Sequence, residues 1–239
     1  MRTLPRFFIP GSITTGVPLD LPHSTAHHLK HVLRLSDGEI TVFNGEGGEY
    51  RCRIAEVSRK NVTVKPLEFI DVDRRARLCV HLGLCILKKD AMDRALGRSV
   101  ELGASRITPL VSEHCTVASK VIRNRVDHWR QVIIAACEQS GLNLLPILDE
   151  PRPLVDWVES TAPGLKLISL QGHQPLPDTS DFPDSASLLV GPEGGFSTDE
   201  INTSVNAGFV PVTFGERVLR AETAPLVALS VLNRLRGDY

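Results

Sequence analysis

Two stretches combine residue types that could hold and work on a flat, polar ligand. The first is Leu188-Leu-Val-Gly-Pro-Glu-Gly-Gly-Phe-Ser197, an apolar run that ends in a turn with three glycines and one carboxylate. Glycines between a strand and a helix permit positive φ and close backbone approach by a ligand. Ser197 followed by Glu200 has the spacing of a capping box, which opens a helix directly after the turn. Glu193 within the turn disfavours phosphate and suits ribose hydroxyls or a cationic ligand. The second stretch is Phe214-Gly-Glu-Arg-Val-Leu-Arg-Ala-Glu-Thr-Ala-Pro225, where Glu216, Arg217, Arg220 and Glu222 flank apolar Val218 and Leu219. Taken singly, a glycine-rich turn also serves structural ends, and a charged loop is also what a salt-bridged connector looks like.

The elements around these loops decide where they sit. Leu78–Leu87 is a continuous apolar run, as expected of a strand buried on both faces. Residues 89–102 place Met92, Ala95, Leu96 and Val100 near helical spacing, and Gly103 stops the helix. Strands are expected at Ile107–Val111, Leu165–Leu170, Ser187–Val190 and Val210–Thr213, with a long helix over about 122–139. This strand–helix alternation means an α/β domain with a mostly parallel sheet, whose ligands bind at the carboxyl ends of strands. Residues 175–187, rich in Pro, Asp and Ser, read as a surface loop. Pro225 fits the first turn of a last helix. That helix carries Leu226, Val227, Leu229, Val231, Leu232 and Leu235 around more than one face, so it is buried on several sides in a core or at a subunit interface.

The first seventy residues differ in texture. Ile40–Phe43, an Asn44-Gly45 turn and the alternating segment Glu49–Ile54 predict a hairpin, and Val62–Pro66 predicts a further strand. One helix is expected at residues 25–32, capped by Ser24. The charged segment Asp71–Arg77 marks a boundary, giving domains at 1–72 and 73–239.

Composition narrows the function classes. The chain has 239 residues, 42 % of them hydrophobic, enough for a real core. No apolar run approaches the roughly 20 residues of a membrane span, and the start lacks the apolar core of a signal peptide, so a cytoplasmic protein with no membrane partner is expected. Five cysteines without a C-x-x-C pair give neither a disulfide framework nor a metal site, and buried reduced thiols are expected. Net charge is -1, yet residues 1–77 hold 12 Lys/Arg against 9 Asp/Glu. Arg2, Arg6, Lys30 and Arg34 lie there among four histidines, a patch that could track phosphates. A nucleotide hydrolase lacks its phosphate loop here, because neither G-x-x-x-x-G-K-[ST] nor an opening G-x-G-x-x-G occurs.

Together the loops are more specific than either alone. GPEGGFS followed by GERVLRAETA resembles the paired signature of RsmE-type methyltransferases, members of the SPOUT superfamily. The likeness runs over nearly the whole chain. It includes Arg6-Phe7-Phe8, His27–Arg34, Glu101–Leu110, Ser112-Glu113-His114, and Trp129 with Ala135–Gly141. Departures are Arg98 where the family often has Lys, Leu142-Asn143 where Arg usually follows the EQ-x-G motif, and Ala221 where Thr precedes ETA.

The resemblance implies a C-terminal SPOUT domain with a deep trefoil knot, preceded by a small PUA-like β-barrel. Knots are exceptional among folds, so that expectation rests on the resemblance alone. It implies S-adenosyl-L-methionine as cofactor, no metal, and methylation of uridine N3 in 16S ribosomal RNA of the small subunit by a homodimer. The implied cofactor pocket comprises Leu170 and Gln171, then Gly191, Glu193, Gly194 and Gly195, then Phe214, Arg217, Leu219 and Ala221. Arg220 is the expected stabiliser of the deprotonated base, with Glu222 as base or orienter, and Arg2, Arg6, Lys30 and Arg34 contact RNA. The rival reading is an RNA-binding PUA/SPOUT protein without catalysis.

Overall fold

The computed structural model describes residues 4–176 and 183–238. The backbone divides into two compact units: residues up to 74 joined by Cys137–Leu145, and residues 75–136 joined by 146–239. A charged boundary near residue 72 could not foretell that a later segment returns to the first unit.

The first unit contains β1 (Arg6–Phe8), β2 (Leu19–Asp20), α1 (His23–His27), β3 (Glu39–Phe43), β4 (Glu49–Val57) and β5 (Val62–Ile70). They form a five-stranded sheet of order β1-β3-β4-β5-β2, with β3, β4 and β5 antiparallel neighbours. The hairpin expected around Asn44-Gly45 is present as β3–β4. Phe7, Ile40, Val42, Ile54, Val62 and Val64 alternate inward and pack with Leu29 and Ala26 beneath the helix. The expected helix differs at both ends. It starts at His23 after Pro22, so Ser24 lies inside it and caps nothing, and a π turn over His28–Val32 follows. Proline supplies the start because its missing N–H is not needed there. Cys52 and Cys137 are buried thiols, whereas Cys79 and Cys115 of the second unit are not, so sequestration covers only part of the set.

The second unit contains β6 (Cys79–Cys85), α2 (Asp90–Glu101), β7 (Ala104–Val111), α3 (Ser119–Arg123), α4 (Val126–Ser140), β8 (Ile147–Leu148), β9 (Arg152–Pro153) and α5 (Leu154–Ser160). It continues with β10 (Leu165–Ser169), β11 (Ser185–Val190), α6 (Thr198–Asn206), β12 (Val210–Val212) and α7 (Ala224–Arg236). Seven strands pair in parallel in the order β12-β10-β11-β6-β7-β8, with β9 also on β7. The helix expected over 122–139 is broken at Asn124-Arg125 into α3 and α4. Of the loop expected at 175–187, residues 177–182 lie outside the described residues, and Ser185–Ser187 belong to β11.

Trp157 of α5 anchors one face of the sheet against Phe209, Leu110, Ile168 and Leu189. It sits on Gly83 of β6 so closely that a Cβ there would meet the indole at 2.6 Å. Its indole N–H donates to His81 Nε2 at 3.2 Å, and burial pushes the His81 imidazole down to about 4. On α7, Leu229 and Leu232 are fully buried within the protomer. They are core residues, not the outward-facing pair that an interface would need. Leu226, Val227, Val231 and Leu235 stay half-exposed.

Candidate active site

A cleft of about 500 Å³ opens at the carboxyl ends of β10, β11 and β12, built from the three loops that follow them. That volume suits one small-molecule ligand or cofactor. From the first loop it takes Leu170 and Gln171, from the second Gly191, Glu193 and Gly195, and from the third Phe214, Arg217, Leu219, Arg220, Ala221 and Glu222. Residues up to 52 positions apart are thereby gathered by parallel pairing alone.

Gly194 is the exception among the sequence-named residues, because it is not on the cleft wall. A Cβ at Gly194 would meet the Cβ of His114 at 3.0 Å, so the glycine is needed for packing behind the wall. Gly195 has φ +70°, and a Cβ there would meet no protein atom within 4 Å. It leaves open space in the cleft.

The glycine turn is held by Lys88 and His114, to which the sequence gave no role, and by the expected capping pair Ser197 and Glu200. Lys88 N–H donates to Glu193 Oε1 at 3.0 Å, beside Lys89, whose φ of +42° is strained for a non-glycine residue. His114 Nδ1 lies 3.1 Å from the Gly195 carbonyl and donates to it, which places a proton on Nδ1. Glu200 is only 6 % exposed and accepts from Ser197 N at 2.9 Å and from Glu113 N at 2.8 Å. Ser197 Oγ accepts from Glu200 N, completing the capping box. The buried carboxylate thus ties the segment after β7 to the start of α6. Ser112-Glu113-His114 stood out as a motif, but only the fold shows what it touches.

The wall after β12 is held more loosely. The Gln171 amide donates to Glu216 O at 2.7 Å and Gly215 O at 3.4 Å, and Thr223 N closes a turn on Arg220 O. Among the described residues no backbone N–H from Phe214 to Ala221 finds a protein acceptor. Val218 is 86 % exposed at the mouth. The Arg220 side chain is exposed and forms no hydrogen bond or ion pair among the described residues. Glu222 is paired with Arg94 at 3.2 Å. Its own backbone N–H, then Arg94 and Arg220, hold the carboxyl below its usual range. That lowering weakens the carboxylate as a proton acceptor, and the pair with Arg94 fixes its position beside the cleft.

The residues expected to meet RNA scatter. Arg2 lies outside the described residues. Arg6 is paired with Glu49, donates to Asn143 Oδ1 at 2.6 Å, stacks 5.0 Å from the Phe43 ring centre, and is only 10 % exposed. It is a buried strut of the first unit, because a desolvated guanidinium is kept only with partners. Lys30 bonds the carbonyls of Ser58 and Arg59, and Arg34 is exposed at φ +56°.

The walls fit S-adenosyl-L-methionine: a Cβ-free surface at Gly195, unpaired main-chain donors after β12, apolar Leu170 and Leu219, and a cleft of matching size. Among the described residues no group of three or more His, Cys, Asp or Glu could hold a metal ion.

Comparison with known proteins supplies the context. The family model of an RNA methyltransferase domain matches residues 74–233, and that of an RNA methyltransferase PUA domain matches 21–67. The ribosomal RNA small subunit methyltransferase E of Buchnera aphidicola (subsp. Schizaphis graminum) is 30 % identical over 99 % of this chain and 98 % of its own length. The protein of that name from Neisseria gonorrhoeae, solved bound to S-adenosyl methionine, is 32 % identical with a TM-score of 0.92 and covers 99 % of both chains. A Legionella pneumophila protein solved with bound SAM is 36 % identical with a TM-score of 0.92, over 98 % of both chains. The chain belongs to the family of RNA methyltransferases that includes ribosomal RNA small subunit methyltransferase E.

Proposed function

We propose that the protein methylates N3 of a uridine in small-subunit ribosomal RNA, using S-adenosyl-L-methionine, as a cytoplasmic homodimer. The observation that carries this reading is the cleft itself, with one wall of latched glycines and, facing the same space, an exposed arginine that forms no hydrogen bond or ion pair among the described residues. The cofactor, when bound, supplies an activated methyl group on a sulfonium. Leu170, Gly191, Gly195 and Leu219 would hold it, and the free N–H groups after β12 would read its polar edge. The knotted arrangement is part of the same reading and rests on the family resemblance. The half-exposed apolar residues of α7 support a subunit interface. Among the described residues no helix is long and apolar enough to cross a membrane.

Uridine N3 carries an imide proton and is a poor nucleophile until that proton leaves for solvent. A fixed guanidinium beside the base stabilises the resulting anion, and such preorganised donors contribute about 10²–10³ in rate. Arg220 lines the cleft with no hydrogen bond or ion pair among the described residues, and Glu222, anchored by Arg94, sets the loop that carries it. Arg220→Ala should lower single-turnover methylation by about 10²–10³, with melting temperature and cofactor affinity unchanged and part of the loss recovered at higher pH. A variant that loses stability and cofactor binding together, without rescue by pH, would make Arg220 a structural residue instead.

A further inference from the structure

Helix α2 opens beside the cofactor cleft without a side-chain cap. Its N-cap residue, Lys89, has φ +42° and ψ -125° and makes no side-chain capping bond. Local interactions hold such a start weakly, since the entry backbone is strained and no side chain satisfies the first N–H groups. The hold comes from Asp93 instead. Its carboxylate accepts two hydrogen bonds from Arg125 Nη2, at 3.0 and 3.1 Å, and one from His128 Nε2 at 2.8 Å. These donors come from the break between α3 and α4 and from the first turn of α4. Arg94 is the next residue on α2, turned by about 100° around the helix axis. It therefore meets a different neighbour, and its guanidinium pairs with Glu222 at 3.2 Å. Glu222 lies inside the turn that Thr223 N and Ala224 N close on Arg220 O, at 2.8 and 3.0 Å. Asp93, Arg94, Glu222 and Arg220 thus form one connected path, whose first two members are not on the cleft wall.

We propose that Asp93 is a positioning residue for methyl transfer, acting through α2 and Arg94 to fix the turn that presents Arg220, a proposal that rests on the role given to Arg220 above. The Arg94–Glu222 pair is partly solvated and by itself holds little. With the helix start pinned through the adjacent residue, less freedom remains to be lost when the pair forms. The path has no parallel branch, because Arg94 is the one side chain that hydrogen-bonds the Glu222 carboxylate among the described residues. Without Asp93 the guanidinium of Arg220 is still present and still charged, but no longer set at one distance from the anion that forms at N3. Misplacement by about 1 Å costs on the order of 10² in rate.

The test is single-turnover methylation of unmethylated small ribosomal subunits by the full-length protein, with cofactor saturating, across a pH series. Asp93→Ala and Arg94→Gln should each slow methyl transfer by about 10–10²-fold, with cofactor affinity by calorimetry nearly unchanged. As for Arg220→Ala, part of the loss should return at higher pH. Arg94→Lys, which keeps a cation toward Glu222, should recover most of the rate. In an Arg220→Ala background Asp93→Ala should cost little more, because residues that act through one another are not additive. Should Asp93→Ala fail to fold, Arg125→Gln takes its place, removing two of the three bonds on Asp93 from a partly exposed site. A rate equal to the wild type in Asp93→Ala overturns the proposal. So does an equal loss with and without Arg220, or a loss that pH does not touch, either of which assigns Asp93 to the packing of α2 alone. The reading beneath fails separately. Arg220→Ala at the wild-type rate removes the role of Arg220 and this proposal together, whereas a slow Arg220→Ala beside a normal Asp93→Ala removes only the positioning.

Discussion

The two walls of the methyltransferase cleft are made by loops of similar kind, each leaving a parallel strand and entering a helix, yet they are held differently. The turn after β11 is fixed by Lys88 and His114, which reach it from the segments after β6 and β7, and by Glu200 of the helix it opens. The loop after β12 is tethered mainly at its ends, by Gln171 and by the Arg94–Glu222 pair, and between them it exposes Val218 and leaves its amides unpaired. Unpaired main-chain groups favour a partner that arrives with hydrogen bonds to give. The difference separates a preorganised platform from a wall completed by its ligand.

Three substitutions probe that contrast in decreasing order of effect. Glu200→Ala strips the acceptor from two part-buried N–H groups, one of them at the α6 cap, and should cost about 1–2 kcal/mol of stability by denaturant unfolding. A loss near zero would mean that the platform is not held by this carboxylate. Glu222→Gln should cost under about 1 kcal/mol, because the pair with Arg94 is partly solvated. Its pH sign is also fixed. A carboxyl held below its usual value stabilises the fold at neutral pH, and that contribution fades as pH falls through the carboxylate range. Thermal melts of wild type and variant should therefore converge in acid; parallel curves would contradict the pairing. Val218→Ser should change stability by no more than about 0.5 kcal/mol, as at other exposed sites. It should nonetheless weaken cofactor or RNA binding, and a variant unchanged in both would remove Val218 from the mouth.

Much of this was legible along the chain because it is local. Hydrophobic runs marked the strands, the Ser197/Glu200 spacing marked a cap that forms as drawn, and the glycine turn and the charged loop do meet in one cleft. What escaped notice depends on partners far away in sequence. Gly194 faces His114, 80 positions earlier, and its role as packing could not be told from that of a ligand wall. Arg6 reads as a basic surface residue until Glu49 and Asn143 enclose it. Leu229 and Leu232 look the same in a helix pattern whether they face the core or a partner.

The discontinuity of the first unit bears on how the chain is made. A ribosome delivers residues in order, and domains near the N-terminus usually finish folding first. Here Phe8 N of β1 donates to Glu138 Oε1, Arg6 of the same strand donates to Asn143, and Asn143 in turn donates to Val72 O. Neither Glu138 nor Asn143 exists until more than half of the 239 residues have been made. Nascent chains that stop at Ala136 would carry a sheet with Arg6 short of its amide partner and Phe8 N–H unmatched, so the unit synthesised first is completed late.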